Sequence, residues 1–170
     1  MKPKIIKSFL SKPDFNTIES LVTKDNFPWY YSSNISGVEN ENKNHHYFIH
    51  LLFVDGQVNS TYFKYFESIL SKLKIKKLYR MKLNFYHHTD KLIVHHPHVD
   101  YIQDEIKSHK GCILSLNTCD GFTIIENKTK KGFRVKSIKN QALIFDPTVP
   151  HSSTSCTNSK ARINININYE

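Results

Sequence analysis

The chain has 170 residues, enough for one domain with a sizeable core. Hydrophobic residues at 39% and charged residues at 23% exclude a disordered or fibrous chain, and no apolar run approaches the length of a membrane span. The net charge of +9 raises the question of nucleic acid or another acidic partner. The lysines are dispersed, however, densest over 72–82 and 128–139, with no arginine-rich arm and no aromatic RNA-binding motif. A soluble basic surface is the expectation, with nucleic acid the lesser alternative and no membrane partner.

The N-terminus, Met1-Lys2-Pro3-Lys4-Ile5-Ile6-Lys7, carries charge but neither an apolar signal core nor a small-residue cleavage site, so a cytoplasmic protein is expected. Cys112, Cys119 and Cys156 are odd in number and lack Cys-x-x-Cys spacing, which fits idle thiols in a reducing compartment. The sequons at Asn34, Asn59 and Asn127 then read as by-products of an asparagine-rich composition.

In chain order, residues 14–23 form a helix capped at Asp14, with Phe15, Ile18, Leu21 and Val22 on one face. Phe27-Pro28-Trp29-Tyr30-Tyr31 is an extended aromatic piece whose Trp and Tyr side chains read as core, and 39–44 is a polar loop. A lid over the site is one reading of 30–44. Residues 47–54 form a strand ending at Asp55-Gly56, and Asn59 or Ser60 caps a second helix reaching Leu73. Beyond it the character becomes β, with strands over 78–86, 92–98, 111–117, 122–126, 132–137, 141–146 and 161–169, several parted by Asp-Gly, Lys-Gly and Asp-Pro turns. The expected class is mostly β (α+β): a β-sandwich or jelly roll with the N-terminal helices packed on one sheet.

The last strand alternates strictly, placing Arg162, Asn164, Asn166 and Asn168 on one face and three isoleucines on the other. The polar face either meets solvent or lines a cavity.

Ten histidines stand in the chain, five of them between His87 and His98. His98-Val99-Asp100 sets an imidazole and a carboxylate on one side of an extended chain, about 7 Å apart at Cα. His151 supplies a third donor from the end of another strand. Two histidines and a carboxylate on one face of an octahedron are the donor set of non-haem Fe(II) oxygenases. Zinc would prefer other donor sets and would leave Arg162 without a role. On a regular strand His96, His98 and Asp100 share a face, so a His96/His98 metal pair is an alternative, although Pro97 between them disturbs the strand. His45, His46, His50, His87, His88 and His109 read as structural or exposed. Arg162 follows His151 after eleven residues, across the polar and turn-like stretch 152–160, and a guanidinium forks onto carboxylates.

With those residues assembled, the chain resembles the 2-oxoglutarate/Fe(II)-dependent dioxygenases. The resemblance is carried by Asn26-Phe27-Pro28-Trp29-Tyr30-Tyr31, His98-Val99-Asp100, the segment 116–123, Phe145-Asp146 and His151 through Arg162. It covers nearly the whole chain and is nearest to the prolyl-4-hydroxylase-like branch, including small stand-alone forms from marine phages. It implies a double-stranded β-helix (jelly-roll, cupin-like) as one domain over 1–170, with a helical N-terminal support to about 77 and the β core from about 78. It makes His98, Asp100 and His151 the iron ligands and Arg162 the partner of the distal 2-oxoglutarate carboxylate. By the resemblance Tyr86 lines that co-substrate's pocket, Asn84 joins it as a residue of the same face, and Asn164 is either a further lining residue or a hydrogen-bonding group of the barrel interior. It further implies Fe(II), 2-oxoglutarate and O2, with ascorbate as a supporting reductant, and a protein or peptide substrate hydroxylated at proline or a similar side chain. A nucleobase, sugar or free amino acid is the alternative substrate, and a non-catalytic jelly-roll binding module is the alternative from another class. For a phage-encoded chain the compartment would be the host cytoplasm.

Overall fold

The computed structural model describes residues 1–35, 45–100, 109–126 and 132–170. The loop expected over 39–44, the Asn127 sequon and most of the suggested lid lie outside them.

Helix α1 (Lys12–Val22) starts one turn earlier than the Asp14 cap suggests. Ser11 is the cap: its Oγ accepts from the Asp14 backbone N–H at 3.3 Å and donates to the Asp14 carboxylate at 2.6 Å. Pro13 sits in the first turn, where its missing N–H leaves no helical bond unmade. The second helix is divided. Ser60 caps a 3₁₀ segment, Thr61–Phe66, which then widens into α2 (Glu67–Leu73) and stops at left-handed Lys74. Three residues per turn align Phe63 with Phe66, so both reach the core.

Eleven strands are formed among the described residues: β1 (Lys4–Ile6), β2 (Tyr30–Ser32), β3 (Tyr47–Val54), β4 (Gln57–Val58), β5 (Leu78–His87), β6 (Lys110–Ser115), β7 (Phe122–Ile125), β8 (Phe133–Lys136), β9 (Gln141–Phe145), β10 (His151–Ser152) and β11 (Ala161–Tyr169). A large antiparallel sheet runs β1-β9-β6-β11-β5-β3-β2, with β4 on β3, and a small one runs β10-β7-β8. The class is mostly β with a jelly-roll arrangement, and the helices cover the outer face of the large sheet. Phe15, Ile18, Val22, Phe66 and Ile69 from the helical layer share one core with Met81, Leu83, Ile163, Ile165 and Ile167. Each such side chain contributes about 1.5–3 kcal/mol by leaving water. Between the sheets, Ile113, Leu143 and Phe145 meet Ile125 and Val135 in a second core.

Three expectations are corrected. Residues 92–98 form no continuous strand; Val94 and His98 make isolated bridges to Thr154 and His151, because Pro97 has no N–H to extend a ladder. The stretch after His151, expected to be turn-like, begins as β10, and Ser152 through Cys156 are all buried. Trp29 packs against the core, but Tyr30 and Tyr31 are 60% and 64% exposed on an edge strand.

Candidate functional site

Strands β5 and β11 pair in a register that sets Tyr86 opposite Arg162, Asn84 opposite Asn164, Lys82 opposite Asn166 and Arg80 opposite Asn168. Period-two alternation therefore builds two adjacent columns of polar side chains on the face turned away from the helices. The segment that follows β5 returns across the small sheet. There the His98 N–H bonds the His151 carbonyl at 3.0 Å, and the His151 N–H bonds the His98 carbonyl at 2.8 Å. These two backbone bonds hold the two imidazoles side by side, ring centroids 4.5 Å apart.

Asp100 Oδ1 lies 4.0 Å from His98 Nε2 and 3.9 Å from His151 Nε2. Those separations are too long for hydrogen bonds and suit donors converging on one cation. All three donor atoms fall within 4.8 Å of one another. His151 Nδ1 faces the Val149 carbonyl at 3.1 Å, so the proton belongs there and the buried, unpartnered Nε2 presents its lone pair. Burial pushes the His98 pKa down to about 4, helped by His151, which leaves a neutral imidazole at neutral pH. Burial works to raise the Asp100 pKa, but Arg80, His151 and Asn168 outweigh it and the carboxyl stays below its ordinary range. Arg80 donates to Asp100 Oδ1 at 2.7 Å and Asn168 to Oδ2 at 2.7 Å. The three residues fit a divalent first-row ion: two neutral nitrogens, one ionised oxygen and a shell that orients them.

Arg162 is 1% exposed. Its Nη1 donates to the Thr154 carbonyl at 3.1 Å and its Nη2 to Thr123 Oγ1 at 2.8 Å, while Nε has no partner. It lies over the Tyr86 ring, 5.4 Å from the centroid. Among the described residues no carboxylate pairs with it, an arrangement that leaves a buried cation uncompensated and selects for an anion. One narrow cavity runs from Arg162 and Thr123 past Tyr86 and Asn84 to His98 and His151.

The structure thus brings His98, Asp100 and His151 into one cluster and puts Arg162, Tyr86, Asn84 and Asn164 on the wall beside it. Asn84 donates to Asn164 Oδ1 at 2.9 Å, so these two brace each other across the strands. His50 is structural, bonded to the Pro28 carbonyl and to Ser60, each at 2.7 Å. Asn168 stands on the polar face that the sequence marks, without a role of its own there, and Arg80, Lys82, Thr123 and Thr154 are not marked. For Arg80 and Lys82 the signal exists, since continuing the alternation from Tyr86 and Asn84 reaches them. For the two threonines no local pattern marks a contact 39 or 8 residues away. A larger cavity of about 750 Å³ opens behind Arg80 and Asn168, lined by Phe53, Tyr79 and His109, but the metal-ligating cluster is not in it.

No family model and no curated protein matches the sequence. Solved structures do match. A prolyl hydroxylase from Trichoplax adhaerens, in complex with a hypoxia-inducible-factor peptide fragment, superposes with a TM-score of 0.69 at 16% identity, covering 98% of this chain and 82% of that one. A 2OG-Fe(II) oxygenase family oxidoreductase from Burkholderia pseudomallei gives a TM-score of 0.73 at 9% identity, covering 98% and 84%. The chain has the fold of these oxygenases. The viral collagen prolyl hydroxylase of Paramecium Bursaria Chlorella virus-1 shares it too, with a TM-score of 0.57 at 12% identity over 99% of this chain and 90% of that one. Among the described residues no helix is long and apolar enough to cross a membrane.

Proposed function

We propose that the chain is a 2-oxoglutarate- and O2-dependent Fe(II) hydroxylase acting on a peptidyl proline or similar side chain, with succinate and CO2 as the other products. The observation that carries the reading is one narrow cavity with a buried guanidinium, acid-free among the described residues, at one end and His98 and His151 of the His-Asp-His cluster at the other. A dicarboxylate matches the charges of those two ends, one carboxylate on the cation of Arg162 and the other at the metal. The support for a peptidyl substrate is associational: it comes from prolyl hydroxylases of the same fold, one of them holding a peptide. A cytoplasmic site of action and support by ascorbate belong to the same proposal.

His98, Asp100 and His151 hold the Fe(II), which with 2-oxoglutarate supplies the oxidising power that side chains lack. The remaining work is placement. Arg162 takes the distal carboxylate, Thr123 and the Thr154 carbonyl fix its fork, and Tyr86 forms the ring beneath it. Asn84 and Asn164 wall the slot, while Arg80 and Asn168 keep Asp100 ionised and aimed.

Anaerobic titration with Fe(II) and 2-oxoglutarate tests this, read by the visible metal-to-ligand charge-transfer band of the chelate. The band should appear in the native chain. Arg162→Met should weaken 2-oxoglutarate about 10- to 100-fold, in keeping with loss of charged hydrogen bonds, and leave Fe(II) binding intact. A folded chain without the band overturns the proposal and leaves a non-catalytic jelly-roll binding module as the reading.

A further inference from the structure

The ladder that presents Arg162 at one end presents a second positive group at the other. Arg80 and Lys82 share the inward face of β5 with Asn84 and Tyr86. Both line a cavity of about 260 Å³ whose walls also include His98, Asp100, Tyr47 and Asn166. This cavity meets the Arg162 slot at Asn84, Tyr86, His98 and Asn166, so the candidate metal cluster stands between the two.

The charges there do not cancel. Arg80 is engaged with Asp100 at 2.7 Å, but Lys82 has no acidic partner among the described residues. Among the described residues its ammonium donates once, to the Tyr47 hydroxyl at 3.0 Å, and sits 5.3 Å above that ring. An ammonium carries three donors, so the remaining two are available to a ligand. Burial, reinforced by Arg80, makes the charged form of Lys82 harder to hold, which an incoming anion would relieve. Tyr47 stacks on Tyr86 at 5.5 Å and supplies a flat apolar wall beside the ammonium. Lys82 is half-buried, with its ammonium on the cavity wall beside Tyr47.

We infer that the substrate carries a carboxylate received by Lys82, with Arg80 beside it, and that this contact holds the oxidised carbon next to the metal cluster. The inference rests on the hydroxylase reading and adds to it a substrate class: an acidic molecule, either a free amino acid through its own carboxylate or a peptide through an acidic side chain. The cavity volume suits one residue or small molecule on this wall.

The test uses two acid and amide pairs: L-proline with L-prolinamide, and Ac-Pro-Asp-NH2 with Ac-Pro-Asn-NH2. Calorimetric binding is measured on the chain loaded anaerobically with Fe(II) and 2-oxoglutarate, and again on the metal-free chain. In at least one pair the acid should bind about tenfold more tightly, which is about 1.4 kcal/mol. Lys82→Met should erase that preference while keeping the charge-transfer band, and Lys82→Arg should retain it. A preference confined to the first pair identifies a free amino acid, and one confined to the second an acidic peptide. No preference in the native chain overturns the inference. So does a preference that survives Lys82→Met, or a Lys82→Met variant that loses affinity for 2-oxoglutarate instead. A missing band with a Lys82-dependent preference on the metal-free chain would sink the hydroxylase reading and leave the anion site standing.

Discussion

The two faces of β11 are equally buried and differently used. On one, Ile163, Ile165 and Ile167 enter a core of apolar side chains closed by the helices. On the other, Arg162, Asn164, Asn166 and Asn168 are as dry, yet Arg162 Nε and the Asn166 and Asn168 Oδ1 atoms have no partner among the described residues. A fold that served stability alone would fill that face with side chains like those on the first, since buried polar atoms without partners cost free energy. The contrast locates function without reference to any motif: same strand, same burial, unequal satisfaction.

The comparison breaks most visibly at Asp100. Asp100→Ala removes the only carboxylate of the cluster and should abolish the Fe(II)-2-oxoglutarate band. The Asn168→Ala variant, which touches only the orienting shell, should weaken metal binding roughly 10- to 100-fold, measured by competition with a chromophoric chelator. On the other face, Ile165→Ala should lower stability by about 2–5 kcal/mol in urea denaturation and leave the band of the folded fraction unchanged. If Ile165→Ala damaged the band as Asp100→Ala does, the two faces would not be functionally separate.

Much of this division is legible in the sequence because strand alternation is local. The run from Arg162 to Tyr169 declares its faces outright, and the apolar spacing in α1 announces the layer that covers one of them. Arg80 and Lys82 were legible by the same rule, alternating with Met81 and Leu83, but lysine and arginine on a strand are by default solvent-facing and attract no notice. The path of 88–100 is a different matter. Its backbone is held by Ser153, Ser155 and His151 rather than by a regular ladder, and such long-range bonds leave no period to read. The anchoring of Asp100 by Arg80 and Asn168 depends on that path and was therefore hidden.

A finer probe sits at Gly121, just before β7. A Cβ there would lie 2.6 Å from the Ser155 carbonyl oxygen and 2.7 Å from Arg162 Cδ. The side chain of Arg162 is wedged by its own hydrogen bonds and cannot retreat freely. Gly121→Ala should cost about 1–3 kcal/mol of stability as overpacking and should weaken 2-oxoglutarate more than Fe(II). Equal loss of both ligands would mean that the slot and the metal cluster move as one unit.

The smallest effect is one that vanishes at neutral pH. His95 is buried, stacked on Tyr86 at 5.4 Å and bonded to Ser153 Oγ at 2.7 Å. Burial first, then the neighbouring His45 and Arg162, push its pKa from 6.5 to about 3. Between those two values the unfolded chain binds a proton that the folded chain refuses, so stability falls as pH drops from 6.5 toward 3. Above 6.5 neither state is protonated there and His95 adds no pH dependence. Thermal melts of the metal-free chain should therefore be flat across the neutral range and decline on acidification, and His95→Asn should shallow that decline. Because His95 backs Tyr86, its protonation loosens the polar face before the apolar one. Near-ultraviolet circular dichroism of the tyrosines should then change at a higher pH than the far-ultraviolet signal of the sheets; coincident transitions would mean that the two faces of β11 unfold together.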